Sequence, residues 1–389
     1  MKNSIKTKLL IASLLSSNLV ALPLYPVNAE ETDNTEMTEE MEDMNESDTT
    51  MEENMEETME GDMESDMEET MEGDTEGDME ETTEPSVTTK EEHVEEKDPI
   101  PTDKEELKKL IKDYGTKITV KDLKMNVYEL GAEHKGESKT LVFMPGLGEA
   151  SQPLTHKNLL DALAKKYHIL VVEPFGYGLS DVSNEERTVE NITEELHSAL
   201  EQMDVKEYYL VAHSLSGLYA LKYSQMYQDE VLGVIGMDTS TPMMNGFMEM
   251  QHEEAPIDDS GQATDLPEIP DVDDEVNLQY RYIAQLNLNN ADVVDESNRS
   301  NQVLNDFKDE KIPSGIPALY LLAQDSYEDI EMRREFMDKI TEDWEMQHKL
   351  LSENPDEVET HILEGDHLIY MTQYEEMARL IDEFINNHN

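Results

Sequence analysis

The chain has 389 residues, 91 of them Asp or Glu against 29 Lys or Arg, for a formal net charge of -62, with no Cys, 25 Met and one Trp. Nucleic acids and anionic membrane surfaces are excluded as partners, because sequence-independent affinity for phosphate depends on Lys and Arg displacing counterions. Without Cys there is no disulfide framework, thiolate metal site or Cys nucleophile, so covalent chemistry falls to Ser, Thr, Lys or a carboxylate.

Residues 1–29 read as an export signal. Lys2, Lys6 and Lys8 make a basic front, Leu9 to Leu24 is mostly apolar, and Val27, Asn28 and Ala29 offer small residues for cleavage after Ala29. An uncleaved membrane anchor is the alternative, although Ser13, Ser16, Ser17, Asn18 and Pro23 make a poor spanning helix. Either way the expected location is outside the cytoplasm, secreted or at the cell surface. Residues 30–97 form an acidic region and linker: Glu30 to Glu84 holds 27 acidic residues and no Lys or Arg. Met51, Met55, Met59, Met63, Met67, Met71 and Met79 recur at a four-residue step, with Thr75 filling the gap. A helix would stack uncompensated carboxylates at i,i+3 and i,i+4, so a disordered spacer is expected.

From Asp98 to Asn389 the pattern changes. Short unbroken apolar runs at Thr140–Pro145, His168–Glu173, Tyr208–His213, Val231–Gly236, Ala318–Ala323 and Val358–Leu363 read as strands buried on both faces. Helical periodicity separates them at Asn158–Tyr167, Val189–Met203, Ser216–Tyr227, Ile330–Leu351 and Gln373–Ile385. This alternation predicts an α/β domain over residues 98–389, a mostly parallel sheet with helices on both faces. Two earlier strands, near Lys117–Val120 and Met125–Leu130, are expected to form an antiparallel edge. The interval of about 75 residues between Met237 and Pro313 is too long for a plain connection. A cap over about residues 239–313 is expected there.

The strand ending at His213 runs into Ser214-Leu215-Ser216-Gly217 and then a helix. A serine on so sharp a turn is strained and exposed above the sheet, and Ala212 and Ser216 beside it are small. At these residues the sequence resembles the α/β-hydrolase family, whose elbow is usually Gly-x-Ser-x-Gly; Ala212-His213-Ser214-Leu215-Ser216 keeps the serine and departs at both glycines. The resemblance implies an acid after a later strand and a His after the last one. His367 in Glu364-Gly365-Asp366-His367 fits the second place. For the acid, Asp325 just beyond Ala318–Ala323 is the first choice and Asp238 in Gly236-Met237-Asp238-Thr239 the second. His213 is expected to pack.

Pro145-Gly146-Leu147-Gly148 stands where the family usually has His-Gly-x-Gly. By that resemblance the N–H groups of Leu147 and Leu215 form the oxyanion hole. Glu173-Pro174-Phe175-Gly176-Tyr177-Gly178-Leu179-Ser180-Asp181 looks like the family's structural turn after the fourth strand. Epoxide hydrolases and haloalkane dehalogenases of this fold attack with Asp at the elbow, so Ser214 argues for acyl transfer to water instead. The expectation is a serine esterase, thioesterase or lactonase acting on a small-molecule acyl substrate, with no cofactor and no metal. The competing expectation is a surface or secreted interaction protein on a degenerate hydrolase domain, motivated by the altered elbow and the absent His before Gly146.

Overall fold

The computed structural model describes residues 100–244, 263 and 266–388. The expected export signal, the acidic repeat and part of the 239–313 interval therefore lie outside the described residues. Eight strands form one sheet in the order β1-β2-β4-β3-β5-β6-β7-β8. They are β1 (Thr116–Val120), β2 (Leu123–Leu130), β3 (Thr140–Met144), β4 (His168–Glu173), β5 (Tyr208–His213), β6 (Val231–Met237), β7 (Ala318–Ala323) and β8 (Val358–Leu363). Strand β2 alone runs against the others, pairing antiparallel with both β1 and β4. The remaining pairs are parallel.

The unbroken apolar runs have a direct cause. Side chains alternate across a strand, so Val142, Met144, Leu170, Val172, Leu210 and Ala212 enter one core. Leu141, Phe143, Ile169, Val171, Tyr209 and Val211 enter the other. Helices α1 (Lys104–Leu110), α2 (Gln152–Thr155), α3 (Lys157–Leu163), α4 (Val189–Gln202) and α5 (Ser216–Met226) come before β6. Ile192, Leu196 and Leu200 of α4, with Leu218 and Leu221 of α5, cover the first face. The opposite face is covered by Leu159, Leu160 and Leu163 of α3 together with Leu380, Ile381, Phe384 and Ile385 of the last helix.

Among the described residues, two α-helices, α6 (Asp274–Asn287) and α7 (Ala291–Asp306), occupy the interval between β6 and β7. They are tied to the turn after β4: the Asn287 and Asn290 amides donate to the carbonyls of Gly178 and Gly176 at 2.8 and 2.9 Å. Asp292 accepts from Ser183 N–H and Asn184 N–H.

The helix expected over Ile330–Leu351 is two helices, α8 (Gln324–Arg334) and α9 (Trp344–Lys349). Asp343 decides the break, because its carboxylate accepts the Met346 N–H at 2.7 Å and starts a new helix rather than continuing an old one. Phe336 is 79% exposed in the connection. Two further helices, α10 (Ile369–Thr372) and α11 (Tyr374–Asn387), end the chain. Among the described residues no helix is long and apolar enough to cross a membrane.

Candidate active site

Strands β3 and β5 are neighbours with Met144 beside Ala212, so the loop leaving β3 and the turn leaving β5 emerge side by side at the carboxyl edge of the sheet. The order of the strands reverses here, β4 lying on one side of β3 and β5 on the other, and open α/β sheets bind ligands at that crevice. Ser214 sits in the turn at φ 54°, a left-handed conformation that costs an ordinary residue about 1–2 kcal/mol. Hydrogen bonds hold it there. Ser214 N–H donates to Met237 O at 3.3 Å, and Ser214 O accepts from the N–H groups of Gly217 (3.1 Å) and Ser240 (3.0 Å).

The departures from the usual elbow have a structural account. The Ser216 hydroxyl lies 2.7 Å from Pro145 O, 2.9 Å from His213 O and 3.1 Å from Met144 O, so it pins the elbow to the β3 loop. Close approach is instead supplied one residue later. A Cβ on Gly217 would fall 2.5 Å from Thr239 Cβ.

The carboxylate against His367 is that of Asp238, the residue that follows β6. Asp238 Oδ2 accepts from His367 Nδ1 at 2.7 Å and from the Ser326 hydroxyl at 2.6 Å. Its Oδ1 accepts from Ala323 N–H at 3.0 Å and from the Trp344 indole N–H at 3.1 Å. Burial raises the carboxyl, but the bonds from His367, Ser326 and Ala323 outweigh it and hold Asp238 below the ordinary carboxylate range.

Asp325, the first choice from sequence, is corrected to Asp238 as the partner of His367. Helix α8 begins at Gln324, immediately after β7, so Asp325 lies exposed in its first turn. Its backbone N–H donates to Gly365 O at 3.1 Å. Burial and the charges of Asp366, Glu328 and Asp238 raise its carboxyl. It has acidic neighbours where a triad acid has an imidazole.

Ser214 and His367 both line a cavity of about 850 Å³, which includes space open to solvent. Gly146, Leu147 and Gly148 form one wall; Leu266, Tyr280, Ala284, Leu288 and Val293 from the inserted interval face it. Among the described residues, the N–H groups of Leu147 and Leu215 make no hydrogen bond. The loop is braced from the insertion: Tyr177 Oη accepts from Gly148 N–H at 3.1 Å and donates to Glu296 of α7 at 2.8 Å.

A family model described as the alpha/beta hydrolase fold matches residues 139–281, a stretch that runs from the start of β3 into α6. With the sheet order and the elbow, this decides the architecture. The chain has the α/β-hydrolase fold. The Bacillus subtilis (strain 168) protein named "Uncharacterized protein YbdG" is 37% identical over 134 residues. That match covers 34% of this chain and 40% of the relative, less than half the length of either.

Among solved structures, epoxide hydrolase VrEH1 from Vigna radiata is similar at 14% identity and a TM-score of 0.51, covering 70% of this chain and 97% of that one. Epoxide hydrolase CorEH is similar at 13% identity and a TM-score of 0.50, covering 70% and 99%. At such identities the likeness is one of fold.

Within this hydrolase fold, sequence reasoning missed Glu149, His156, Ser326 and Trp344. Glu149 lies buried beneath the β3 loop: Oε2 accepts from Gly146 N–H at 3.0 Å, Oε1 accepts from the Thr155 hydroxyl, and His156 Nδ1 lies 2.9 Å from Oε1. Burial raises this carboxyl, and His156 and His213 overcome that effect and hold it well below the ordinary range. His213 is more than packing. The His367 carbonyl oxygen accepts from His213 Nε2 at 3.1 Å, joining the elbow to the His367 loop. The acidic residue three after Gly146 was the available signal for Glu149; Trp344 had none, since it meets Asp238 only through the fold.

Proposed function

We propose that this chain is an exported serine hydrolase that cleaves uncharged small or medium acyl esters, or related thioesters or lactones, through an acyl-enzyme on Ser214. One observation carries the reading: His367, whose Nδ1 is held by Asp238 at 2.7 Å, lines the same cavity as a serine held at positive φ.

In this reading Ser214 Oγ attacks the acyl carbonyl carbon while His367 Nε2 takes the hydroxyl proton. Asp238 fixes the imidazole tautomer and stabilises its charged form. The carbonyl electrons move onto oxygen, where the N–H groups of Leu147 and Leu215 receive the anion. Collapse expels the leaving group with the proton from His367, and water activated by the same imidazole releases the acid. Among the described residues the cavity lining contains no Lys or Arg, and Glu149 is its one carboxylate. Substrates bearing a carboxylate are therefore disfavoured. The chain's export rests on the basic and apolar character of residues 1–29 alone.

The test is fluorophosphonate labelling of the protein, with peptide mapping by mass spectrometry and a nitrophenyl ester series of increasing acyl length. Labelling confined to Ser214, lost in His367→Ala and accompanied by turnover, supports the reading. A folded protein that neither labels nor turns over overturns it in favour of the interaction protein.

A further inference from the structure

Three buried polar side chains beneath the β3 loop take no part in the acyl-transfer steps: Glu149, His156 and His213. Burying a carboxylate is costly unless it is hydrogen-bonded, and Glu149 accepts from Gly146 N–H and from the Thr155 hydroxyl. Its two oxygens serve different ends. Oε1 is anchored to the α2–α3 junction through the Thr155 hydroxyl and His156 Nδ1, and the His156 ring lies stacked on Tyr370 with centroids 3.5 Å apart. Oε2 reaches back three residues to Gly146 N–H at 3.0 Å, while Glu149 N–H donates to Gly146 O at 3.1 Å. The turn Gly146–Glu149 is thus closed from both sides, with Leu147 at its tip. Among the described residues no cluster of three or more His, Asp or Glu side chains has metal-holding geometry, so these groups need another role.

The third member sets where the turn can lie. A Cβ on Gly146 would fall 2.6 Å from His213 Nδ1 and 3.2 Å from Ser214 Cβ. The loop backbone therefore rests directly on the elbow. His213 Nε2–H is committed to His367 O, and Nδ1 has no hydrogen-bond partner and faces Glu149 Oε2 at 3.7 Å.

We propose that Glu149 is a positioning residue for the oxyanion hole: its carboxylate clamps the Gly146 N–H against the elbow, so that the next N–H, that of Leu147, is presented to the pocket. The clamp stands where the family's His-Gly-x-Gly loop has a histidine and this chain has Pro145. The inference rests on the serine hydrolase reading above and assigns an additional residue to it.

The test uses the full chain and three substitutions, Glu149→Ala, Glu149→Asp and Glu149→Gln. Ester kcat and KM are measured, together with inhibition by a trifluoromethyl ketone. That ketone takes up Ser214 Oγ at its carbonyl carbon and leaves its oxygen as an anion in the hole; the matched methyl ketone is the uncharged control. Moving one oxyanion donor out of place costs part of the 10²–10³-fold that its removal costs. Glu149→Ala is therefore expected to lower kcat about 10- to 100-fold and to weaken the trifluoromethyl ketone by a similar factor. KM and methyl ketone affinity should stay within about three-fold, since neither depends on the anion.

Glu149→Gln keeps an acceptor for Gly146 N–H and is expected to recover at least half of the loss on a logarithmic scale. Glu149→Asp retains the charge but withdraws it by one methylene, and is expected to resemble Ala. If Glu149→Ala fails to fold, the Asp and Gln pair carries the comparison. Folded variants with wild-type kcat and trifluoromethyl ketone affinity overturn the clamp and leave the hydrolase reading standing. Wild-type protein without turnover or labelling of Ser214 overturns both.

Discussion

Asp238 and His367 meet at 2.7 Å although 129 positions of chain separate them, and the carboxylate also receives hydrogen bonds from Ala323, Ser326 and Trp344. A carboxylate in that place selects the imidazole tautomer that can accept the serine proton, and loss of its charge has cost other triads about 10⁴-fold in kcat. Asp238→Asn is expected to lower ester kcat by about 10³- to 10⁴-fold. Asp325→Asn, in the exposed first turn of α8, should stay within about three-fold. Steady-state kinetics of the two variants decide the acid, and the reverse ranking would reinstate Asp325.

Trp344 is the only Trp in the chain, and its indole N–H supplies one of the four donors to Asp238. Trp344→Phe keeps most of the buried ring and removes the donor. Deleting one partner of a buried charged hydrogen bond costs about 1.5–3 kcal/mol. A loss of that size in urea unfolding followed by circular dichroism is expected.

Gly178 and Gly136 both have positive φ, 52° and 77°, but differ in surroundings. A Cβ on Gly178 would lie 1.9 Å from the buried Glu173 carboxylate, whereas one on Gly136 would meet nothing within 4 Å. Gly136→Ala should cost only the backbone term of about 1–2 kcal/mol. Gly178→Ala adds a clash with a carboxylate held by Tyr114, Asn126 and the Leu179 N–H. Its cost should exceed about 3 kcal/mol, and thermal melts of the two variants compare them.

His213 gives a pH signature. Burial, reinforced by His367 and His156 and opposed by Glu149, lowers its folded value below the ordinary one. Above about pH 6.5 both folded and unfolded chains hold it neutral, and the stability it contributes is complete. As pH falls through that value the unfolded chain takes up a proton that the folded chain refuses. Stability is then lost until the lowered folded value is passed. Glu173 and Glu296, whose carboxyls burial raises, act with the opposite sign. They are common to wild type and His213→Gln, so the difference in urea midpoint between the two should shrink from pH 7.5 to pH 5. A constant difference would contradict the lowered value.

Much of this was legible in the sequence for a physical reason. Strands buried on both faces must be apolar at every position, so β3, β4, β5 and β7 appear as unbroken runs, and the turn chemistry of Ser214 and the late His367 are local to their segments. Chain order singled out Ser214 and His367, which line one cavity. What order could not rank was the acid, since Asp238 and Asp325 both follow strands that end at the same edge of the sheet. That choice rests on where α8 begins: directly after β7, it turns Asp325 to solvent and brings Ser326 to Asp238, joined there by Ala323 at the end of β7 and Trp344 of α9. The Glu149 clamp and the Ser216 pin belong to the same category. Hydropathy and motif spacing report what each segment buries and how it turns, whereas the partners of a buried polar group are set by which segments the sheet makes neighbours.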